Sequence, residues 1–435
     1  MTFFIKTFGC QMNVNDSEKI HHLLLGKGLE ASASEAEADV IIVNSCAVRE
    51  RPQEKIFSYI GQFPAAKIIV AGCVAQLEKD AIFKKKVKTD YVVGTHQYHR
   101  IGEIVDEIGA GQSARTAVAF SRRWRELVPA PSARSSRVSA YLSIMEGCDN
   151  FCSYCVVPFT RGREKYRPLA AILHEAECLA GQGFKEIILL GQNVNHWREP
   201  ASGRTFADLL ATLASRVEIP WIRFITSYPG THDPELVRVM AENRSIARHI
   251  HFPAQSGSTR ILKKMARSYS REQYLGIVRA FHAAMPEMKF SSDFIVGFPG
   301  ESERDFELTL SLLECVQYES VFSFVYSPRP HTAAAALAAT MPMAKAKERL
   351  LALQKLQAEI QLENNRRLIG KTIEVLVCAA HPKKPGEMIG RSESTRVVNF
   401  TSRAPMGAFA RVKIIGAGPH SLRGEEIVNP TNVTT

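Results

Sequence analysis

The strongest chemical signal in the sequence is a cysteine run with the spacing C-x3-C-x2-C, formed by Cys148, Cys152 and Cys155. Three thiolates on one loop can hold three irons of a [4Fe-4S] cubane, which leaves the fourth iron without a protein ligand. Because an open iron can bind a small chelating molecule, this spacing predicts a catalytic cluster. A structural zinc ion normally takes four protein ligands, and the nearby sequence offers no obvious fourth, but zinc stays open as an alternative.

A second set of three cysteines is spread over the first part of the chain: Cys10, Cys46 and Cys73. Each directly follows a short β-rich run, and the carboxyl ends of strands in an open parallel sheet face one crevice. The pattern therefore predicts that the three thiols converge and hold a second cluster. The alternative is that they are small buried residues at strand ends. The remaining cysteines lie on apolar faces without partners in sequence and are predicted core residues: Cys178, Cys315 and Cys378.

The elements that would position these cysteines begin with an N-terminal α/β unit. Short β-rich runs alternate with amphipathic segments, which is typical of a parallel sheet covered by helices. The predicted strands are 3–8, 40–44, 67–71 and 91–93. The predicted helices are 16–27, 51–62 and 97–108. We therefore expect an open parallel α/β sheet domain over residues 1–118, with the dispersed cysteines at the carboxyl edge of its sheet.

Residues 119–137 interrupt this alternation and are rich in Arg, Ser, Pro and Ala, which predicts a basic linker and a domain boundary. The linker contains five arginines, which could either be solvated in a connector or contact phosphate: Arg122, Arg123, Arg125, Arg134 and Arg137.

Residues 138–369 resume the alternation. The predicted strands are 140–145, 186–190, 222–226, 249–252, 290–296 and 321–326. The predicted helices between them include 170–180, 206–215, 271–284 and 305–316. Six βα units with right-handed crossovers predict a partial (β/α)6 barrel with its active groups at the carboxyl ends of the strands. A long helix over 345–368 ends this domain.

The last part of the chain, residues 370–435, contains short β-rich runs separated by turn residues. The predicted strands are 372–377, 396–400, 409–415 and one near residue 426. This pattern predicts a small all-β barrel, a common nucleic-acid-binding shape. The predicted fold class is therefore α/β with an added all-β domain.

Length and composition set the wider limits. The chain has 435 residues, 45% of them hydrophobic and 23% charged, which excludes a disordered, collagen-like or small disulfide-rich protein. No apolar run is long enough to span a membrane and no signal peptide is evident, so a cytoplasmic location is expected. The formal net charge of +11 favours a polyanionic partner such as nucleic acid, although a merely basic protein would show it too.

Taken together, these residues resemble the radical S-adenosylmethionine superfamily, and more closely its methylthiotransferases, over essentially all 435 residues. The matching segments are TFGCQMNVNDSE, VNSCAVRE, AGCVAQ, GCDNFCSYCVVPFTRGRE, LLGQNVN, QSGSTRILKKMAR and SSDFIVGFPGE. The final β domain resembles the TRAM domain, an RNA-binding barrel. Around the cysteines the sequence is most similar to the MiaB-type branch, which converts N6-isopentenyladenosine at position 37 of tRNA to its 2-methylthio derivative.

This resemblance implies two [4Fe-4S] clusters and S-adenosylmethionine as radical source and methyl donor. Cys148, Cys152 and Cys155 would hold the cluster that binds S-adenosylmethionine and would be the catalytic cysteines. Cys10, Cys46 and Cys73 would hold an auxiliary cluster that supplies or carries sulfur. Residues expected to contact S-adenosylmethionine follow from the family's motifs and lie at the rim of the barrel: Tyr154, Gly191, Gln192, Asn193, Ser227, Gln255, Ser256, Arg267 and Val296. Lys263 is an alternative to Arg267 for the methionine carboxylate.

The resemblance also implies partners. The first is the anticodon loop of tRNA, from which the target adenine must be extracted. The arginines expected to contact RNA are Arg161, Arg163, Arg167, Arg329, Arg391 and Arg396. Other implied partners are an electron donor such as a flavodoxin and iron–sulfur assembly or sulfur-donor proteins. The enzyme is expected to be a monomer and not to associate with a membrane.

Other functions stay open on the sequence alone. Related enzymes methylthiolate an aspartate of a ribosomal protein or threonylcarbamoyladenosine in tRNA. A non-catalytic iron–sulfur protein that binds RNA or transfers electrons would not cleave S-adenosylmethionine. A zinc-dependent RNA-binding protein would be colourless.

Overall fold

A computed structural model of the chain describes residues 1–47, 50–85 and 87–427. Three predicted segments are therefore described only in part. The VNSCAVRE motif lacks residues 48–49, the N-terminal domain lacks residue 86 and the C-terminal domain lacks residues 428–435. None of the described helices combines the length and the apolar character that a membrane span requires.

The N-terminal domain is an open sheet of six parallel strands. These strands are β1 (Thr2–Phe8), β2 (Glu30–Ala31), β3 (Val40–Ser45), β4 (Lys67–Gly72), β5 (Tyr91–Val93) and β6 (Arg115–Ala117). Their spatial order is β2-β1-β3-β4-β5-β6. The helices beside them are α1 (Gln11–Gly26), α2 (Glu50–Ile60), α3 (Cys73–Glu78) and α4 (Ile101–Gly109). The four predicted strands are present, and the two short outer strands carry too few residues to give a period-2 signal.

Helix α1 begins five residues before its predicted start at residue 16. Its first turns bury polar side chains, including Asn13, Asn15 and Asp16, so the apolar periodicity that marks a helix is absent there. These side chains make buried contacts: the Asn13 amide donates to Ser45 O at 3.3 Å, and Ser143 Oγ donates to Asn15 Oδ1 at 2.7 Å. The early start places a helix N-terminus directly after Cys10.

The central domain is an open barrel of six parallel strands with a small hairpin inserted after the first. The strands are β7 (Ser139–Ser143), β8 (Met145–Glu146), β9 (Lys165–Tyr166), β10 (Glu186–Leu190), β11 (Trp221–Phe224), β12 (His249–His251), β13 (Lys289–Val296) and β14 (Ser320–Val325). Strands β11, β10 and β7 form one parallel sheet, and β12, β13 and β14 form another. Backbone hydrogen bonds at Ile222 and from Ser227 N to His251 O join them, which confirms the predicted partial barrel.

Eight helices accompany these strands in the described residues. They are α5 (Val157–Arg161), α6 (Leu169–Gly181), α7 (Phe206–Arg216), α8 (Glu235–Glu242), α9 (Thr259–Lys264), α10 (Arg271–Ala284), α11 (Glu303–Val316) and α12 (Met343–Arg366). Helices α7, α10 and α11 begin with capping boxes at Thr205, Ser270 and Ser302, which satisfy amides that have no partner inside the helix.

The C-terminal domain is a closed five-stranded barrel. Its strands are β15 (Thr372–Ala380), β16 (Glu387–Ser392), β17 (Val397–Thr401), β18 (Phe409–Ala417) and β19 (Ser421–Glu426), in the order β15-β16-β17-β19-β18. Strand β16 was not predicted. It contains Gly390, where an added Cβ would lie 2.2 Å from a Val375 methyl, so the barrel interior accepts only glycine there.

The C-terminal barrel packs against the amino ends of the central strands, opposite the rim where active groups were expected. Glu186 begins β10 and forms ion pairs with Arg223 and with Arg391 of the C-terminal barrel. Arg223 also donates to Ser392 O at 3.1 Å, and the Trp221 and Phe409 rings meet edge to face. Buried charges paired across this contact fix the position of the C-terminal barrel.

Candidate functional site

The loop with three cysteines is held between the strands of the β8–β9 hairpin. Gly147 opens it with φ +82°, and an added Cβ there would lie 2.2 Å from Arg163 O, so only glycine fits. The Cys148 amide donates to Gly162 O at 3.1 Å across the base of the loop. The ends of the loop are therefore fixed by backbone contacts, independently of any bound group.

The three loop cysteines lie close together in a buried environment. Cys148 and Cys152 are buried and Cys155 is half-buried, with the Cys155 amide donating to Cys152 O at 2.9 Å. Burial raises the pKa of Cys148 and of Cys155 to about 12, and neighbouring thiolates add to both shifts. Three thiolates would repel one another here unless cations compensated their charge, and metal binding deprotonates thiols in this way. The donor set and its burial fit a cluster.

Arg267 lies beside this loop. Its guanidinium donates to Pro253 O at 2.7 Å and to Tyr269 Oη at 2.9 Å, and Nη1 lies 3.7 Å from Cys152 Sγ. It also stacks on Tyr228, 4.3 Å from the ring centroid. In the described residues this buried guanidinium has no carboxylate partner. An uncompensated buried cation suits an anionic cluster or the methionine carboxylate. The alternative residue, Lys263, is exposed.

The turn after β10 is tied to the same loop. Gln192 Oε1 accepts from the Gly147 amide at 2.6 Å, and the buried Asn193 donates to Glu164 Oε1 at 3.4 Å. An added Cβ at Gly191 would lie 2.4 Å from Met145 Cγ, so the turn packs closely on the hairpin. Gly191, Gln192 and Asn193 thus lie beside the cysteine loop, as their proposed contact with S-adenosylmethionine requires.

The other predicted rim residues differ in whether their side chains are free to bind a ligand. Ser227 Oγ is buried and has no hydrogen-bond partner in the described residues, as a group intended for a bound ligand would be. Gln255 has φ +67° and links β12 to β13 through backbone hydrogen bonds. Ser256 Oγ lies 3.5 Å from Thr309 Oγ1 and accepts from the Ser258 amide, so it faces α11.

Tyr154 and Val296 complete the predicted set. Tyr154 packs against the buried side chains of Met265 and Phe298, and burial raises its pKa well above the ordinary value. Val296 is fully buried at the carboxyl end of β13. Tyr154 is therefore partly exposed beside the cysteine loop, whereas Val296 lies in the core of the barrel.

The second set of cysteines occupies three neighbouring strand ends. Strands β1, β3 and β4 are adjacent, and Phe8, Ser45 and Gly72 lie side by side at their carboxyl ends. Cys10, Cys46 and Cys73 each follow within two residues. Cys10 is the N-cap of α1, whose positive end favours thiolate, and Cys73 is the first residue of the short helix α3.

The pKa of the Cys10 thiol is lowered. A hydrogen bond with Cys46 is the main cause, burial opposes it, and the Arg161 charge adds to the lowering, so the pKa of Cys10 falls to about 6. An added Cβ at Gly9 would lie 2.9 Å from Cys46 Cβ, which shows how closely the first two strand ends approach. This set therefore also provides thiolates for a cluster.

Arg161 was missed as a part of this second set. It ends α5, only six positions after Cys155, yet its side chain is buried against the N-terminal domain. Its Nε donates to Cys73 Sγ at 3.3 Å and its Nη2 donates to Asp16 Oδ2 at 2.6 Å. One short helix thus connects the two sets of cysteines. The sequence contains no local signal for this contact, because its partners lie 88 and 145 positions away.

A buried carboxylate group next to the loop was also not predicted. The Glu164 side chain is only 2% exposed and binds His196 Nδ1 at 2.6 Å, Tyr166 Oη and the Asp149 amide. Burial alone would raise the pKa of Glu164, but the hydrogen bonds from His196 and Tyr166 outweigh it and lower that pKa. The hydrogen bond to Glu164 raises the pKa of His196. The hydrogen-bonded pair of Glu164 and His196 therefore supports the end of the cysteine loop.

Four of the six arginines predicted to contact RNA are instead each paired with a buried carboxylate. Arg161 pairs with Asp16, Arg167 with Glu175 and Glu126, Arg391 with Glu186, and Arg396 with Glu319. These pairs lie in the interior or between domains, so the predicted phosphate contacts are not supported for them. Arg163 is exposed and Arg329 is half-buried.

The prediction that the remaining cysteines are core residues was wrong for two of them. Cys178 and Cys315 are exposed on α6 and α11, and Cys378 is half-buried in β15. In the described part of the chain, no three His, Cys, Asp or Glu side chains are gathered around one point as ligands of a single metal ion. The fit of each cysteine set to a cluster therefore rests on its all-sulfur donors, the burial of two of its three thiols and the guanidinium directed at one sulfur.

Comparison with known proteins divides the chain into three matching regions. Residues 2–94 match the model of the uncharacterized protein family UPF0004, residues 142–313 match the radical SAM superfamily, and residues 366–427 match the TRAM domain.

Curated relatives match nearly the whole chain. A tRNA-2-methylthio-N(6)-dimethylallyladenosine synthase of Erythrobacter litoralis is 41% identical over 98% of this chain and 97% of its own length. Proteins of the same name from Geobacter metallireducens and Bacillus subtilis are 41% and 39% identical. They align over 97% and 98% of this chain and over 97% and 86% of their own lengths.

Solved structures share the fold at low identity. The radical S-adenosylmethionine methyltransferase TsrM from Kitasatospora setae, with tryptophan and an S-adenosylmethionine analogue bound, superposes with a TM-score of 0.56 at 14% identity. It covers 77% of this chain and 75% of its own. A second structure, with cobalamin and a [4Fe-4S] cluster, gives 0.55 at 14% identity over 89% and 77%.

Proposed function

This chain belongs to the family of the tRNA-2-methylthio-N(6)-dimethylallyladenosine synthases, and we propose that its two sets of cysteines hold the two clusters that this reaction uses. The enzyme is a radical S-adenosylmethionine methylthiotransferase, and in its reaction a methylthio group replaces the hydrogen at C2 of N6-isopentenyladenosine in tRNA. Its cofactors are [4Fe-4S] clusters and S-adenosylmethionine.

The proposed assignment of ligands rests on one observation. Helix α5 connects two sets of three cysteines, and the cysteines of each set are buried or lie at strand ends. Cys148, Cys152 and Cys155 would hold the cluster that binds S-adenosylmethionine, and Cys10, Cys46 and Cys73 the auxiliary cluster. When bound, the first supplies the electron that cleaves S-adenosylmethionine and the second supplies or carries the sulfur. Gly147 and Gly162 keep the first set in place, and Arg161 holds the second set beside it.

The residues of the rim would bind and orient S-adenosylmethionine. Ser227 offers a buried hydroxyl without a partner in the described residues, Asn193 offers an amide fixed by Glu164, and Arg267 offers a buried positive charge. Tyr154 would supply an apolar wall for the adenine. These groups would exclude water from the cleavage site, because a radical must meet only its intended hydrogen donor.

The remaining partners are also part of this proposal. The anticodon loop of tRNA would present the adenine at position 37, and a flavodoxin or similar protein would deliver the electrons. Iron–sulfur assembly or sulfur-donor proteins would restore the auxiliary cluster. We assign the enzyme to the cytoplasm, where its tRNA substrate is made, and expect it to act as a monomer.

Anaerobic incubation of reconstituted protein with S-adenosylmethionine, dithionite and isopentenylated tRNA, followed by nucleoside mass spectrometry, tests the substrate and the reaction together. We expect 2-methylthio-N6-isopentenyladenosine together with 5′-deoxyadenosine. If 5′-deoxyadenosine forms while the tRNA stays unmodified, the substrate assignment is wrong. The same assay with tRNA carrying threonylcarbamoyladenosine, or with ribosomal protein, then identifies the acceptor.

A further inference from the structure

We propose that an aromatic patch beside the cysteine loop, formed by Phe120, Phe151 and Arg163, stacks on bases of the anticodon loop next to the extruded adenine. This inference rests on the proposed function and names the surface that positions its RNA substrate. It differs from the arginine contacts expected from sequence, because its main groups are rings.

The exposure of these rings is unusual for this chain. Of its 22 phenylalanines, three are exposed: Phe120 at 48%, Phe151 at 52% and Phe322 on β14. Two of the three therefore belong to this patch. An exposed aromatic ring loses contact with water when it binds, and rings at such positions mark binding surfaces more often than single exposed aliphatic residues do.

The patch is assembled from two parts of the fold. Phe120 comes from the segment after β6, and it lies against Gly162, where an added Cβ would be 3.2 Å from the Phe120 ring. The next residue, Arg163, places its guanidinium 5.3 Å from the centroid of the Phe151 ring. Arg163 also forms an ion pair with Asp149 at 2.7 Å. Two neighbouring residues, Gly162 and Arg163, therefore contact the two rings.

The patch lies beside the cysteine loop, where the proposed reaction takes place. Phe151 lies between Cys148 and Cys152, within the loop itself, so a molecule stacked on Phe151 is next to the proposed cluster. Proteins recognise single-stranded RNA by stacking unpaired bases on aromatic side chains and arginine planes, and the anticodon loop offers such bases.

The charge around the patch selects a polyanion over an apolar protein surface. Arg163 is 70% exposed, and its ion pair with the partly exposed Asp149 is weak enough for a phosphate to compete with it. Arg122, Arg123 and Arg125 follow Phe120 in the linker, are exposed, and form no ion pair within the described residues. Rings for bases and cations for phosphates together suit single-stranded RNA.

Substitutions that remove or keep the ring test the proposal. We would prepare full-length reconstituted F151L, F151Y, F120L and F120Y and measure the Kd for isopentenylated tRNA by fluorescence anisotropy. Stacking of one base predicts that each Leu variant raises Kd at least about fivefold, while each Tyr variant stays close to wild type. A tRNA with 2-aminopurine beside the target adenosine should lose its stacking quench with F151L. Iron content and the unfolding midpoint show whether each variant is folded and loaded.

Two results would overturn the proposal. If F151L and F120L bind tRNA as tightly as the Tyr variants, the patch does not contact RNA. If instead they slow reduction by flavodoxin while Kd is unchanged, the patch docks the electron donor. Failure of the proposed function is a separate outcome, because wild-type protein would then give no methylthio nucleoside at all.

Discussion

Arg161 Nε donates a hydrogen bond to Cys73 Sγ at 3.3 Å, although the two residues belong to different domains and are 88 positions apart. The arginine charge is balanced by Asp16, whose carboxylate is also reached by Tyr98 Oη at 3.3 Å. The domain that carries the first set of cysteines thus supplies an N–H donor and a buried cation to the second. Donors and charge next to cluster sulfurs set the reduction potential.

We therefore expect R161M to shift the midpoint potential of the auxiliary cluster to a more negative value, because the reduced cluster carries more negative charge. R161K keeps the charge but loses the planar donor, and its shift should be smaller. A redox titration followed by electron paramagnetic resonance measures this in protein whose loop cysteines are replaced by Ala, so that only the auxiliary cluster is present. R163M is the matched control, and an equal shift in that variant would refute the role of Arg161.

The backbone of the cysteine loop predicts a second effect. Gly147 and Gly183 both have positive φ, +82° and +85°, but only Gly147 would place a Cβ against other atoms, whereas Gly183 has nothing within 4 Å. Both G147A and G183A should lose about 1–2 kcal/mol to backbone strain. Only G147A should also lose the loop cluster. Iron analysis after reconstitution and the rate of 5′-deoxyadenosine formation should separate the two variants, and equal iron contents would contradict this account of the loop.

The contact between the central domain and the C-terminal barrel depends on Glu186, whose carboxylate is buried between Arg223 and Arg391. We expect E186Q to destabilise the protein by about 3–5 kcal/mol, because two guanidinium groups lose a buried counter-charge. Chemical denaturation measures the loss, and limited proteolysis should release a fragment starting near residue 370. E235Q removes an exposed ion pair with Arg238 and should leave the unfolding midpoint unchanged.

The Glu164–His196 pair predicts a pH dependence. The pKa of His196 is raised above its ordinary 6.5, so its stabilising contribution is complete below pH 6.5 and fades as pH rises through the raised pKa. The pKa of Glu164 is lowered below 4.5, so its contribution is complete above pH 4.5 and fades as pH falls further. The stability lost in E164Q should therefore be largest between pH 4.5 and 6.5 and smaller at pH 9.

Nuclear magnetic resonance of the histidine rings checks the same pair directly. The His196 signal, assigned by its absence in H196Q, should titrate above pH 6.5 in wild type and at lower pH in E164Q. An unchanged titration would show that Glu164 does not hold the proton on His196.

The local pattern of apolar and turn residues was sufficient to predict most of the fold. Strands 91–93 and 186–190 and the helix 271–284 were predicted with the bounds that the structure has. The three dispersed cysteines were placed at neighbouring strand ends because parallel topology brings those ends together. Short strands such as Glu30–Ala31 and the polar start of α1 were not predicted, because neither carries a periodic apolar signal.

Long-range electrostatics could not be predicted in the same way. Arg161 and Arg163 are two positions apart and look alike in sequence, yet one is buried in an ion pair and the other is exposed. What separates them is the location of carboxylates distant in sequence, which only the packed domains determine. The exposed rings of Phe120 and Phe151 were missed for the related reason that apolar residues are expected inside.

The central claim is that the two sets of cysteines have different tasks in one reaction. The most direct measurement is the joint yield of 5′-deoxyadenosine and methylthio nucleoside from a reconstituted variant with Cys10, Cys46 and Cys73 all replaced by Ala, given S-adenosylmethionine, dithionite and isopentenylated tRNA. We predict that this variant still forms 5′-deoxyadenosine, contains about half the iron of wild type and makes no methylthio nucleoside. Methylthio nucleoside at the wild-type level would contradict the assignment of the auxiliary cluster to these residues.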